Sequence, residues 1–540
     1  MDYFQSAQAW LLQDPDPVTR AELETLLETA DQAGLKARFE SRLEFGTAGL
    51  RGELGAGPNR MNQVVVGQTA LGIAEFLLAN RSAYLDPKGE LSVVIGYDAR
   101  VNSDVFARLT AEVLAGKGLT ALLFDQLVPT PVAAFAGRSR RSSATIVVTA
   151  SHNPPKDNGY KVYLGGENGN SQLVPPQDSE IAQQIANIAA VVEFQDLPRS
   201  SNYQLIGDSD IASYVNRALS LIPQDSQSRQ RRRGLKITHT SLHGVGWKFV
   251  REIFERSGFS LFSVSSQQEP DGSFPTVAFP NPEEPGAMDE AFRNAIANQS
   301  DLILANDPDA DRLAVGYGRD PKMLTGDQVG VILAERLATS GAKVIANSIV
   351  SQDLGAIAKR HGIDYRQTLT GFKWISKVAG IDYGYEEALG YCVDPGFTPD
   401  KDGITAALLI AELASELWSQ GLGLDAELDR LTALYGKTTT GQVSIRVTDL
   451  SVISKVMTAL RSKPPAEILG QQVSLKDFLQ SSGQDKTDAL VFTGERLKVI
   501  FRPSGTEPKL KCYLQFIGEE SDFGLAELRV WAKNLIEALS

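Results

Sequence analysis

The chain has 540 residues, a net charge of −13, and 42% apolar and 22% charged residues. That length is too great for one core, so three or four domains are expected. The acidic balance argues against a general nucleic-acid or membrane-surface binder, though a few local arginines, lysines and backbone amides can still hold an anionic ligand. Cys392 and Cys512 supply neither a disulfide framework nor a zinc spacing. No apolar run reaches membrane-spanning length, and the first residues lack the basic start of a signal peptide. Buried thiols and a cytoplasmic location are the expectation.

Residues 1–44 read helical, with Leu23, Leu26, Leu27 and Ala30 on one face and Glu22, Glu24 and Glu28 off it. Phe45-Gly-Thr-Ala-Gly-Leu-Arg-Gly52 breaks that pattern. Its glycines let backbone approach a ligand and Arg51 offers a planar donor fork, although a plain Gly-rich turn has the same composition. Residues 91–98 form a strand, and 98–103 a turn into a helix with Ser103 as N-cap. Arg100 in that turn is either a structural ion pair or a strand-end functional arginine. Residues 119–124 form another strand, so strand and helix alternate around a largely parallel sheet.

The next strand, Ile146-Val-Val148, runs into Thr149-Ala-Ser-His-Asn-Pro-Pro155. Pro154 and Pro155 cannot continue a ladder. Asn158-Gly159 signals a tight turn, and 160–164 reads as a returning strand. Ser151 therefore surfaces at the carboxyl end of a buried strand, where open sheets bind ligands. Beside His152 and upstream of Lys156 and Lys161, its hydroxyl suits group transfer, and a simple turn serine is the alternative.

A helix follows near 211–221, and Pro223 to Arg233, with its Arg231-Arg-Arg233 run, reads as a solvated linker. His239 and His243 lack metal-ligand partners at suitable spacing and read as structural. The strand at 302–305 ends in Asn306-Asp-Pro-Asp-Ala-Asp-Arg312. In an extended segment Asp307, Asp309 and Asp311 project to one side, where their mutual repulsion calls for a cation. Hard oxygens suit magnesium; Arg312 and Gly318 stand where a calcium loop needs Gly and Glu. A solvated acidic turn is the bland alternative.

Residues 327–339 read as a helix and 343–349 as a strand. Lys373 follows Gly371 in a loop, and Glu386 and Glu387 lie in Gly384-Tyr-Glu-Glu-Ala-Leu-Gly390; each carboxylate can accept two hydrogen bonds from ligand hydroxyls, and a surface charge is the bland alternative for either. Residues 402–420 read as a helix and 435–441 as a linker. In the last domain a strand reaches Arg502-Pro-Ser-Gly-Thr-Glu-Pro-Lys509. Arg502, Ser504, Gly505 and Thr506 make a phosphate cradle without a Walker sequence; a hairpin turn explains Pro503 and Gly505 but not the cluster.

Taken together, Thr149-Ala-Ser-His-Asn-Pro with Asn158-Gly-Tyr-Lys161, Gly49-Leu-Arg-Gly52, Asp307-Pro-Asp-Ala-Asp-Arg312, Gly371-Phe-Lys373, Glu386-Glu-Ala388 and Arg502-Pro-Ser-Gly-Thr506 resemble, in order, the motifs of the α-D-phosphohexomutase superfamily. The triad and Glu-Glu-Ala variants look most like its branch of longer phosphoglucomutases and phosphopentomutases. The resemblance implies an α/β fold of three tandem α/β domains (1–206, 207–318 and 319–435) plus a C-terminal α+β domain (436–540) around a central cleft. It further implies a phosphorylated Ser151, with Arg51, His152 and Lys161 catalytic and His152 and Lys161 the candidates for proton transfer. Magnesium would sit on Asp307, Asp309 and Asp311 and touch Ser151. Arg312, Lys373, Glu386, Glu387, Arg502, Ser504, Gly505 and Thr506 would bind substrate. Ala388 stands where the family often has Ser. The implied activity is a phosphosugar mutase, foremost on glucose 1-phosphate and glucose 6-phosphate, with a sugar bisphosphate as activator and intermediate. Pentose or mannose phosphates on the same machinery, or a metal-dependent phosphoserine phosphatase, are the alternatives. A phosphorylated sugar is the expected partner of a monomer or homodimer, with no nucleic acid or membrane.

Overall fold

The computed structural model describes residues 2–46, 49–447, 449, 451–482, 486–503 and 509–539. They form two compact units. One comprises Met1–Thr325, Phe372–Tyr385 and Leu389–Gly423; the other comprises Gly326–Gly371, Glu386–Ala388 and Leu424–Ser540.

The N-terminal segment of the first unit is three helices, Tyr3–Gln13, Pro17–Glu28 and Gln32–Phe39. Asp14 and Pro15 end the first, Asp16 caps the second, and Asp31 caps the third through Gly34 N–H. Behind them lies a sheet in which Gln204–Ile206, Thr120–Phe124, Ser92–Tyr97 and Ala144–Val148 run parallel. Asp157–Leu164 and then Leu50–Glu53 extend it antiparallel. The strand at 144–148 is buried throughout, as its unbroken apolar run requires. Asn158 and Gly159 belong to the returning strand and do not turn; the reversal is made by the residues between Val148 and Asp157. Ser103 does not cap its helix either. Its hydroxyl donates to Asp98 Oδ1 at 2.7 Å.

A second sheet in this unit aligns Ser260–Ser263, Lys236–Thr240 and Leu302–Ala305 in parallel, with Ala314–Tyr317 returning antiparallel. The segment before it is no solvated linker. Residues Ser226–Arg232 are helical and Arg232 is fully buried, its guanidinium satisfied by Glu412, Ser257 O and Pro223 O. Glu412 sits on the buried helix Gly403–Trp418, whose N-cap is Asp402.

In the second unit, Val344–Ser348 pairs in parallel with Asp364–Thr368, flanked by Gly326–Thr339. The C-terminal part is an antiparallel sheet in the order Thr438–Arg446, Lys509–Ile517, Leu497–Pro503, Leu490–Thr493, Ser474–Asp477. Residues 438–441 therefore begin a strand, so the segment read as a linker is shorter. Leu497, Val499 and Phe501 alternate into a core closed by the helices Ser451–Ser462 and Ser521–Leu539. Lys498, Ile500 and Arg502 consequently share the opposite face. Among the described residues, no helix is long and apolar enough to cross a membrane.

Candidate active site

Ser151 sits where the strand Ala144–Val148 breaks, in a left-handed conformation with φ of 53°. A non-glycine residue there is strained and must be held. Thr149 Oγ1 accepts from Ser151 N–H at 2.8 Å. The main holder is Arg100, buried at 3% exposure, which donates to four carbonyls of the loop: Ser151 at 2.7 Å, Asn153 at 2.6 Å, Pro154 at 2.8 Å and Asp157 at 2.9 Å. Asp98 lies 3.6 Å from its Nε. Both sequence readings of Arg100 are thus too narrow: it is an ion pair and the clamp of the serine loop.

The serine hydroxyl donates to Asp307 Oδ2 at 2.8 Å and lies 3.2 Å from His152 Nδ1. Asp307, Asp309 and Asp311 converge, each offering an oxygen within 4.8 Å of the others, and all are buried. They do so through a turn and not through extended alternation: Ala310 has φ of 54°, and its N–H donates to Asp307 O. Thr130 grips Asp309 twice, by Oγ1 to Oδ2 at 2.5 Å and by N–H to the carbonyl at 3.0 Å. Lys161 bridges the Oδ2 atoms of Asp309 and Asp311, the latter at 2.7 Å, and Lys401 Nζ lies 3.3 Å from Asp311. Arg312 N–H donates to Asp307 Oδ1.

Two oxygens of this cluster, Asp309 Oδ1 and Asp311 Oδ1, are buried without a hydrogen-bond partner among the described residues. Such atoms are costly unless a cation takes them up. Three converging carboxylates, two of them with an unpartnered oxygen, fit a hard divalent ion of the magnesium type.

The charges are unequal. Burial, with Asp309 and Asp311 nearby, pushes the Asp307 carboxyl well above the usual range. Burial would raise Asp311 too, but Lys161, Lys401 and Arg312 bring it below the usual range. Asp309 also falls, against burial and Asp311, through Lys161 and Thr130. Burial disfavours the Lys161 ammonium, and the two aspartates more than restore it. Desolvation, followed by the Arg312 and Arg51 charges, holds His152 well below its ordinary value, so its ring is neutral. Arg51 lies on the strand opposite Gly159, half-buried, with Nε unbonded among the described residues.

Lys373 belongs to the same unit, on the short helix Phe372–Ile375, 5.4 Å from the Trp374 ring. Glu386, Glu387 and Arg502 belong to the other unit. There Glu387 exchanges two hydrogen bonds with Ser351: Ser351 Oγ donates to Oε2 at 3.0 Å and accepts from Glu387 N–H at 3.1 Å. Burial, then Glu386 and Asp327, push the Glu387 carboxyl up to about 8. Lys498 donates to Ile349 O at 2.6 Å, and Arg502 lies on the strand paired with that of Tyr513. Ser504, Gly505 and Thr506 lie outside the described residues.

Sequence reasoning missed Thr130, Lys401 and Lys498. Lys401 had a signal, in the charged Asp400-Lys-Asp402 run before Gly403; Thr130 and Lys498 had none beyond their residue type.

Residues 42–191, 212–319 and 325–434 match domains I, II and III of the phosphoglucomutase/phosphomannomutase family, each described as alpha/beta/alpha. A protein of Haemophilus influenzae named a probable phosphomannomutase is 44% identical over 88% of this chain and 98% of its own. The human phosphopentomutase is 32% identical over 99% of this chain and 95% of its own. The open form of pp63/parafusin, a Paramecium phosphoglucomutase, shares the fold with a TM-score of 0.71 and 18% identity, covering 92% of this chain and 96% of its own. The chain belongs to the phosphoglucomutase/phosphomannomutase family of the α-D-phosphohexomutases and is a phosphosugar mutase, an isomerase that moves phosphate within a sugar.

Proposed function

We propose that the chain interconverts glucose 1-phosphate and glucose 6-phosphate through a phosphoserine at Ser151 and a bisphosphorylated sugar. One observation carries this reading: a strained, clamped serine hydroxyl lies 2.8 Å from the first of three buried aspartates, and the other two each keep an unpartnered oxygen. Phosphorylated Ser151 gives its phosphoryl group to the free sugar hydroxyl; the Oγ–P bond breaks as the sugar O–P bond forms. His152 and Lys161 are the candidates for proton transfer: the neutral His152 ring can accept the hydroxyl proton, and the Lys161 ammonium can supply one to the departing Ser151 oxygen. Magnesium on Asp307, Asp309 and Asp311 would offset the charge on the transferring group. The bisphosphate then presents its other phosphate to Ser151 and regenerates the phosphoserine. Arg502, with Ser504, Gly505 and Thr506, grips whichever phosphate is not reacting, while Lys373, Glu386, Glu387 and Arg312 hold the sugar. That remote binding orients the reacting end. The domains in this reading run 1–206, 207–318, 319–435 and 436–540.

Pentose phosphates are a second reading, supported by the phosphopentomutases that align over nearly the full chain and by Ala388, which supplies no hydroxyl beside Glu386 and Glu387. Coupled assays on glucose, mannose and ribose 1-phosphates, each with a trace of its bisphosphate, rank the substrates by kcat/KM. Ser151→Ala should abolish turnover with the fold intact. Turnover near wild type in that variant, or release of inorganic phosphate without an isomer, overturns the proposal.

A further inference from the structure

The serine loop and the aspartate loop are each held from behind, and the two holders meet. Arg100 clamps the serine loop through four carbonyls. The aspartate loop is held at Pro308, whose carbonyl accepts from Val245 N–H at 2.8 Å. Gly244 packs so closely there that a Cβ would lie 2.3 Å from Pro308 Cα. The turn making this approach is strained, with Leu242 at φ 46° and His243 at φ 61°.

Residues 271–276 touch both holders. Gly272 lies against the Arg100 turn, where a Cβ would be 2.5 Å from Ala99 O. The Phe274 ring centre is 4.9 Å from the Arg100 guanidinium. On the other side, Asp271 N–H donates to His243 O at 2.9 Å. Thr276 Oγ1 lies 2.8 Å from His243 Nε2 and accepts from Gln267 Nε2 at 2.9 Å, which leaves its own proton for the imidazole. Arg100, His243 and Phe274 are all buried, so these contacts are not loosened by solvent.

We propose that residues 271–276 form a positioning strut that sets the separation of Ser151 Oγ from the three aspartates. The inference rests on the assignment of Ser151 as the phosphoryl carrier. The strut touches neither substrate nor metal; it acts through Arg100 on one loop and through the 242–245 turn on the other. Misplacement of reacting groups by about 1 Å costs up to ~100-fold in rate, whereas substrate binding is made by other residues. Phe274→Leu and Thr276→Val should therefore lower kcat about ten- to a hundredfold with KM changed less than about twofold. Thr276→Ser, which keeps the hydroxyl, should restore kcat.

In the wild-type enzyme, magnesium titration followed by hydrogen–deuterium exchange should slow exchange at Asp271 and Phe274 together with residues 307–312. Wild-type kcat in both variants overturns the strut, as does a rise in KM at constant kcat. If the variants do not fold, the exchange experiment decides: protection confined to 307–312 overturns it. Inactive Ser151→Ala alongside fully active strut variants removes the strut alone, while active Ser151→Ala removes the reading beneath it.

Discussion

Both units bury a cluster of acids, and they settle its charge in opposite ways. In the first, Asp307, Asp309 and Asp311 are surrounded by Lys161, Lys401 and Arg312, and two of the three carboxyls are driven below their ordinary range. In the second, Glu386, Glu387 and Asp327 lie close together with Lys498, whose own ammonium is disfavoured by burial. Glu387 answers by keeping its proton to about pH 8. The difference matches the two tasks in the proposed reaction. Ionised carboxylates with unpartnered oxygens suit a cation and a transferring phosphoryl group. A protonated carboxyl can both donate to and accept from neutral sugar hydroxyls.

If the first cluster is a cation site, stripping divalent ions should abolish turnover, and magnesium should restore it. Asp309→Asn should weaken magnesium binding by removing an anionic ligand whose Oδ1 has no other partner. It should also disturb Lys161, which depends on that charge. Calorimetric titration of the variant with magnesium, beside the coupled assay, reads both effects. Full activity in chelated enzyme would break the comparison at its stronger end.

The second unit should be less absolute. Arg502→Ala should lower kcat/KM about ten- to a hundredfold, the worth of a charge-assisted phosphate contact of ~1.5–3 kcal/mol. Arg502→Lys should recover only part of that, because an ammonium cannot present the guanidinium fork. The same grip serves both substrate orientations, so forward and reverse rates should fall alike. Equal efficiency of wild type and Arg502→Ala in both directions would remove the second unit from phosphate recognition.

How much of this was legible depends on whether its cause was local. The Pro154-Pro155 break, the strand before Ser151 and the C-terminal strand that runs into Arg502 follow from residue types over a few positions, and they stand as read. The aspartate cluster was found by composition but for the wrong geometric reason: an extended strand was expected, and a turn through left-handed Ala310 does the work. Arg232 shows the limit most clearly. Its polar, basic neighbourhood has the composition of a linker, yet Glu412, 180 residues away, makes burial of the charge tolerable. The Arg100 clamp is a tertiary fact of the same kind, since its four acceptors are carbonyls that every sequence possesses.

The smallest effect is the most discriminating, because it concerns one proton. The Glu387 carboxyl stands at about 8 in the fold against an ordinary 4.5. A raised acid is neutral in the folded chain and ionised in the unfolded chain between those values. The folded state then holds more protons, and stability falls as pH rises across the window, by up to about 1.4 kcal/mol per pH unit. Below the window both states are protonated and nothing is lost; above it both are ionised and the loss is complete. Glu387→Gln cannot titrate, so its melting temperature should decline less than that of wild type between pH 5 and 8. Its activity at pH 7 should stay within about threefold, since the amide keeps a donor and an acceptor where the neutral acid had them. Above pH 8 the wild-type KM should climb as Glu387 adds its own negative charge beside Glu386 and Asp327, while the KM of the variant stays level. Parallel melting and KM profiles for the two proteins would mean that Glu387 is already ionised, and that the second unit settles its charge as the first one does.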